Sequence, residues 1–324
     1  MRFDCMLPVA GPFAETLDRV VLAEQLSGET VWVTHGNSYD PFLLLQAYAA
    51  RTHHIRVGTG ITPIYTCSPA QMAQKAATLA SLTGGRHVLG LGVSHAPIVE
   101  AWHGQRIDKP GTEQREYTQI VRAILCGERP PAETFKFRSE FALAPELVQP
   151  DLPIYVSALS PRMIEVAGEV ADGVLLWLCN PTYIRDVVIP HLTRGRERAG
   201  LTLDGFEIVP IVPAGIVEDE GAARASMRGD LVPYFGFPFY RAMIERSGFG
   251  EDIERFDAAA SRGDYEAMLA AIGDGFLDAQ AAVGDATALA DGLRRYIAAG
   301  ATRICLGPIA RADFEATLRV TAAL

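Results

Sequence analysis

The chain has 324 residues, of which 49% are hydrophobic, and a formal net charge of −10 at pH 7. A chain this acidic lacks the basic surface that general nucleic-acid binding requires, so we expect no nucleic-acid partner. No apolar run approaches the ~20 residues of a membrane-spanning helix, and the N-terminus has no signal-peptide pattern. The five cysteines are scattered without a C-x-x-C pair. These features predict a reduced, cytoplasmic, globular protein without disulfides or a structural zinc ion.

Eight short apolar segments alternate with longer segments of helical pattern. Several are apolar at consecutive positions, which is typical of strands buried on both faces of a parallel sheet. The predicted strands are Phe3–Val9, Thr30–Thr34, Ile55–Ile61, Val88–Val93, Pro153–Leu159, Gly173–Leu178, Glu207–Val217 and Thr302–Gly307. Eight strand–helix repeats predict an α/β protein with one (β/α)8 TIM-barrel domain over residues 1–324.

Four predicted strands are followed by a capping residue and a proline. The pairs are Asp40-Pro41, Ser68-Pro69, Ser160-Pro161 and Asn180-Pro181. The first side chain of each pair can accept a hydrogen bond from the first helical turn, and proline suits the first helical position. These caps follow the carboxyl ends of strands, which form the active-site face of a barrel.

The connection between the seventh and eighth predicted strands is unusually long. It contains a predicted helix around Asp219–Leu231, a stretch rich in aromatic residues, glycine and proline, and a helix near Asp285–Ala299. We interpret residues 232–284 as an insertion. Three roles are considered for this insertion: it covers the barrel mouth, it forms an oligomer contact, or it packs on the outside of the barrel as a helical hairpin.

The fourth predicted strand runs into several polar side chains. Gly90 and Gly92 precede Ser94 and His95, and His35 follows the second strand in the same way. Histidine is easily tuned to exchange a proton near neutral pH. Each histidine is either catalytic or bonded within its own loop, whereas the nearby Glu100, Trp102 and His103 are expected to have surface or packing roles. The glycines do not complete a dinucleotide-binding G-x-G-x-x-G motif.

The fifth strand ends in a possible anion site. Ser160 precedes a helix that has Arg162 and Met163 in its first turn. Free N–H groups at a helix N-terminus favour a phosphate. The alternative is an ordinary capped helix with an exposed arginine. The sequence has no metal-binding motif and no G-x-S-x-G nucleophile motif.

Several long segments resemble the bacterial luciferase-like flavin and deazaflavin oxidoreductases. They are AEQLSGETVWV, KPGTEQREY, SALSPRM, AGEVADGVLLW and the long run from Arg56 to Gly104, which includes RVGTGITPIYTCSP and GLGVSHAPIVEAWHG. The sequence is most similar to the branch that depends on coenzyme F420, a 5-deazaflavin. Members that oxidise sugar phosphates have a histidine, tryptophan and glutamate set of which only His35 matches, so that substrate is not expected.

The resemblance implies a cofactor at the barrel mouth. Its flat ring would rest on a non-proline cis peptide at Gly60-Ile61, in space left by the glycines of the fourth strand, and its phosphate would lie on the helix after the fifth strand. The implied cofactor-binding residues are Gly60, Ile61, Thr62, Gly92, Ser94, His95, Ala158, Leu159, Ser160, Arg162 and Met163. The candidates for contact with the anionic tail of F420 are Lys75, Lys109, Arg115 and Arg162.

The function implied by the resemblance is hydride transfer between F420 and a small organic substrate with an electron-poor double bond or carbonyl group. His95 or His35 would supply the proton, and a homodimer is expected. The alternatives are a luciferase-like monooxygenase that uses reduced FMN, an accessory barrel that has lost its cofactor, and an unrelated lyase or hydrolase. The last would need a buried lysine or a carboxylate pair, for which the sequence gives no convincing candidate.

Overall fold

The computed structural model describes residues 1–7 and 12–324 and has a mostly parallel arrangement of strands surrounded by helices. Its strands are β1 (Phe3–Met6), β2 (Thr30–Val33), β3 (Arg56–Thr59), β4 (Thr62–Pro63), β5 (His87–Gly92), β6 (Ile154–Ser157), β7 (Gly173–Trp177), β8 (Glu207–Ile216), β9 (Ala282–Gly284) and β10 (Ile304–Gly307).

The strands close into a barrel, which confirms the predicted (β/α)8 fold. The pairing order is β1, β2, β3, β5, β6, β7, β8 and β10, and β10 pairs in parallel with both β8 and β1. The predicted third strand is interrupted after Thr59, and its continuation β4 also pairs with β5. The predicted strand end at Pro8 and Val9 lies outside the described residues, and the other predicted boundaries differ by one or two residues.

The helices lie around the barrel and in the long connection before the last barrel strand. They are α1 (Phe13–Gln25), α2 (Pro41–Ala49), α3 (Pro69–Leu82), α4 (Ala96–His103), α5 (Pro110–Leu125), α6 (Pro161–Val170), α7 (Pro181–Tyr183), α8 (Ile189–Arg198), α9 (Glu220–Gly236), α10 (Pro238–Ile244), α11 (Gly250–Ala260), α12 (Tyr265–Ala271), α13 (Asp274–Gln280), α14 (Ala286–Ala298) and α15 (Phe314–Ala322). No helix within the described ranges is long and apolar enough to cross a membrane.

The capping pattern in the sequence sets the start of four helices. Asp40, Ser68, Ser160 and Asn180 each accept a hydrogen bond from a backbone N–H of the first turn, with proline at the first helical position. Each of these helices therefore begins close to the carboxyl end of the preceding strand. The four predicted caps are confirmed.

The long connection between β8 and β10 contains the helices α9 to α14, with the three-residue strand β9 between α13 and α14. The predicted insertion boundary at residue 232 falls inside α9, because the helix continues through Pro233 to Gly236. Strand β9 was not predicted, and it pairs with the last residues of β8. The elements α9 and α10 lie at the mouth of the barrel, where their side chains contribute to the cavity described below.

The amino-terminal end of the barrel interior contains a buried ionic network. Arg303 is fully buried, and its guanidinium donates to Asp4 at 3.1 Å, to Glu29 at 2.8 Å and to the hydroxyl of Tyr155 at 3.1 Å. The indole N–H of Trp32 donates to the same Asp4 carboxylate at 2.8 Å. Because β2 and β6 are not neighbours, the ring contact between Trp32 and Tyr155 crosses the barrel. The network therefore joins strands on different sides of the barrel beneath its mouth.

We expect Arg303→Leu to lower the free energy of unfolding by about 3–5 kcal/mol, because it leaves the buried Asp4 carboxylate without its cation. The matched control is Arg319→Leu, which removes an exposed pair with Glu315 and should cost less than about 1 kcal/mol. Urea denaturation of both variants checks this prediction, and losses of equal size would contradict it.

Candidate active site

The carboxyl ends of the barrel strands surround a cavity of about 850 Å³. Residues from all eight barrel strands or the loops that follow them reach it, together with residues of α4, α5, α6, α9 and α10. The predicted site residues that line the cavity are His35, Gly60, Ile61, Gly92, Ser94, His95, Leu159, Ser160, Arg162 and Met163. The structure thus brings residues far apart in the sequence to one cavity at the face where barrel active sites lie.

One wall of the cavity is formed where the third strand is interrupted. The peptide bond between Gly60 and Ile61 is cis, at the position that the sequence resemblance implied. The hydroxyl of Thr34 donates to the carbonyl of Gly60 at 3.0 Å, and the N–H of His35 donates to the carbonyl of Ile61 at 3.2 Å. The end of β2 therefore holds this segment in place beside the cavity.

The glycines of β5 lie directly against the third strand and Ile61. A Cβ atom at Gly90 would collide with the carbonyl oxygen of Thr59, and one at Gly92 would lie 2.8 Å from the Cδ1 atom of Ile61. These glycines make room for the third strand and for Ile61, and Gly92 also lines the cavity, so the expectation that they leave space for a ligand ring stays a prediction. They allow Ile61 to occupy the cavity wall.

Two histidines face the cavity in different surroundings. The Nδ1 atom of His35 is buried and has no hydrogen-bond partner among the described residues, and its ring meets that of His103 edge-on at 6.3 Å. The ring of His95 stacks on Phe237 with centroids 4.4 Å apart and planes 8° apart. Burial lowers the pKa of both His35 and His95 below the ordinary 6.5. Both rings are therefore mainly neutral at pH 7.

The N-terminus of α6 forms the polar end of the cavity. The hydroxyl of Ser160 accepts from the N–H of Met163 at 3.3 Å, whereas the N–H of Arg162 has no acceptor among the described residues. The Arg162 side chain is 60% exposed and has only a long contact, 3.4 Å, to Glu165. A helix N-terminus with a hydroxyl and a free guanidinium has the donors that suit a phosphate.

The structure does not bring every predicted residue to the cavity. Thr62 and Ala158 are buried and do not line it. Of the candidates for the anionic tail, only Arg162 reaches the cavity. The ammonium groups of Lys75 and Lys109 lie over the rings of other residues, and Arg115 forms an ion pair with Glu169 at 2.5 Å.

Several lining residues were not predicted as site residues. Among them are Trp102, His103, Trp177, Asp230, Pro233, Tyr234, Phe237, Phe239 and Tyr240. Trp102 and His103, for which surface or packing roles were expected rather than chemistry, lie on α4 and line the cavity. The dense aromatic pattern of residues 234–240 was the available signal for Tyr234, Phe237, Phe239 and Tyr240. Among residues 1–7 and 12–324, no cluster of three metal-ligating side chains is found.

Comparison with known proteins identifies the family. The model of the luciferase-like monooxygenases matches residues 1–303. The chain belongs to this family. It is 29% identical to a putative coenzyme F420-dependent oxidoreductase of Mycobacterium tuberculosis over 314 residues, which cover 90% of each protein.

Solved structures of luciferase-like proteins share the fold over nearly the whole chain. The coenzyme F420-dependent tetrahydromethanopterin reductase of Methanopyrus kandleri is 25% identical, with a TM-score of 0.84 over 99% of this chain and 97% of that one. An FMN complex of a type II Baeyer–Villiger monooxygenase of Pseudomonas putida is 16% identical, with a TM-score of 0.67 over 99% and 97%. Two of these three relatives are named for coenzyme F420, and the third is a monooxygenase in complex with FMN.

Proposed function

We propose that this protein is an F420-dependent oxidoreductase that acts on a small organic substrate with an electron-poor double bond or carbonyl group. The proposal rests on one observation. The cavity wall at Gly60 and Ile61, called the Ile61 wall, and the N-terminus of α6 face the same cavity. A deazaflavin cofactor has a flat ring and a phosphate, and these two surfaces suit those two groups. The relative from M. tuberculosis supports F420 as the ligand.

In this proposal the residues of the two surfaces hold the cofactor. Gly60 and Ile61 contact one face of the ring, and Ser94 lies beside the ring or the ribityl chain. The Ser160 hydroxyl, with the guanidinium and the free backbone N–H of Arg162, holds the phosphate next to Met163. When bound, a reduced deazaflavin supplies a hydride, so that one double bond of the substrate gains a hydride and a proton while the deazaflavin is oxidised by two electrons.

The proton is assigned to the histidines of the cavity. His35 is anchored through its backbone to Ile61, and its Nδ1 atom has no partner among the described residues. That nitrogen is therefore available to a substrate that lies against the ring. His95 is fixed by its stack on Phe237, and it is the second candidate for proton transfer.

A monooxygenase that uses reduced FMN is the second candidate function. FMN needs the same ring surface and the same phosphate site, and the family includes monooxygenases. The longer anionic tail of F420 distinguishes the two ligands, because it would leave the cavity past Arg162. The expected homodimer and cytoplasmic location stay predictions.

We expect Ser160→Asp to weaken F420 binding about 100-fold or more, because it places a carboxylate against the phosphate. Aspartate is itself a good helix cap, so the fold should be kept. The matched control is Ser68→Asp, which changes the cap of α3 in the same Ser-Pro setting away from the cavity. Fluorescence titration with F420 measures both variants, and unchanged affinity in Ser160→Asp would remove the phosphate assignment.

We also expect His35→Ala and His95→Ala each to lower turnover by about tenfold or more, the typical scale of lost acid catalysis. Neither change should alter F420 affinity by more than roughly twofold, since proton transfer is separate from binding of the ring and phosphate. The control is His54→Ala, an exposed position outside the cavity. Steady-state kinetics checks this, and a variant with the wild-type rate would show that its histidine is not a proton donor.

A further inference from the structure

The wall of the cavity carries very little charge. Among the described residues that line it, Arg162 is the only lysine or arginine and Asp230 is the only carboxylate. The histidines His35 and His95 add no positive charge at pH 7, because burial lowers the pKa of each. If Arg162 holds the cofactor phosphate, no lysine or arginine on the described wall remains for an anionic group of the substrate.

The rest of the cavity is largely aromatic. Trp102 of α4 and Phe239 of α10 both line it and are each 52% exposed. Beside them, Phe237 stacks on His95, and Tyr234 packs edge-on against Trp177 with centroids 5.9 Å apart. Large aromatic side chains that stay exposed in a concave site provide stacking surface for a flat apolar ligand.

Asp230 is the negatively charged residue on the α9 side of this aromatic region. It lies one helical turn before Tyr234 and has no ion-pair partner among the described residues. Neighbouring protein atoms desolvate its carboxyl group and raise its pKa, although the side chain remains exposed. An unpaired carboxylate here repels an anionic substituent on a ligand, and Arg162, the single arginine on the described wall, is already assigned to the cofactor phosphate.

We propose that the substrate is a planar, aromatic, uncharged enone or aldehyde, and that Asp230 excludes anionic analogues. This inference rests on the proposed function, because F420 must occupy the Ile61 wall and Arg162. The aromatic side chains Trp102, Phe237 and Phe239 form the contact surface for the flat part of the substrate. Asp230 provides selectivity without taking part in the chemistry.

The test uses benzylideneacetone, a neutral aromatic enone, and its para-carboxylate as probes. Calorimetric titration into protein saturated with oxidised F420 measures binding without turnover. We expect the neutral probe to bind roughly tenfold or more tightly than the carboxylate. Asp230→Asn should reduce this ratio to about threefold or less, by improving binding of the carboxylate, whereas the exposed control Asp151→Asn should keep the full ratio.

The aromatic surface is tested with a second pair of variants. Phe239→Ala should weaken binding of the neutral probe about tenfold, the scale of one lost aromatic contact. Tyr265→Ala should leave it unchanged, because Tyr265 is equally exposed at 53% but does not line the cavity. Affinity for F420, measured by its own fluorescence, should be the same in all four variants.

The outcomes separate the two proposals. Equal affinity of the two probes for the F420-loaded protein, or no binding of the neutral probe, overturns the substrate class and leaves F420 dependence in place. A ratio that Asp230→Asn does not change overturns the role of Asp230. Wild-type protein that does not bind F420 overturns the proposed function and, with it, this inference.

Discussion

The candidate site depends on how the third strand is joined to β5. Backbone pairing between β3 and β5 ends at Gly58, and pairing with β5 resumes at Thr62 in β4. Between these two positions, the hydroxyl of Thr59 donates to the carbonyl of Gly90 and accepts from its N–H, both at 2.8 Å. This side-chain bridge replaces the missing ladder bonds, so the buried backbone groups of Gly90 stay satisfied. The intervening segment is then free to present Ile61 to the cavity.

The surfaces around Ile61 divide the cavity into regions of different chemistry. The N-terminus of α6 supplies hydrogen-bond donors and Arg162, whereas α4, α9 and α10 supply aromatic rings and Asp230. Neutral histidines lie in the same cavity and can exchange a proton without attracting anions. A flat cofactor with one phosphate and a flat uncharged substrate are the ligands that this division of charge favours.

Local patterns in the sequence predicted the features that depend on neighbouring residues. The alternation of strands and helices predicted the barrel, and the Ser-Pro pair at Ser160 predicted the start of α6. Asp230 was not recognised, because it reaches the cavity only through folding of a long connection whose path has no local signal. The aromatic pattern around Phe239 was visible in the sequence, but its place at the cavity depends on the same folding. The contact between Gly92 and Ile61 was not foreseen for a similar reason, since Ile61 lies on a different segment of the chain. Strand β9 has only three residues, too few to show a period.

The most direct test of F420 dependence is a fluorescence titration of the purified protein with F420, run beside FMN under the same conditions. The account predicts tight binding of F420 and at least tenfold weaker binding of FMN, a difference of about 1.4 kcal/mol or more. Preference for FMN would contradict the account and favour oxygen chemistry in the same cavity.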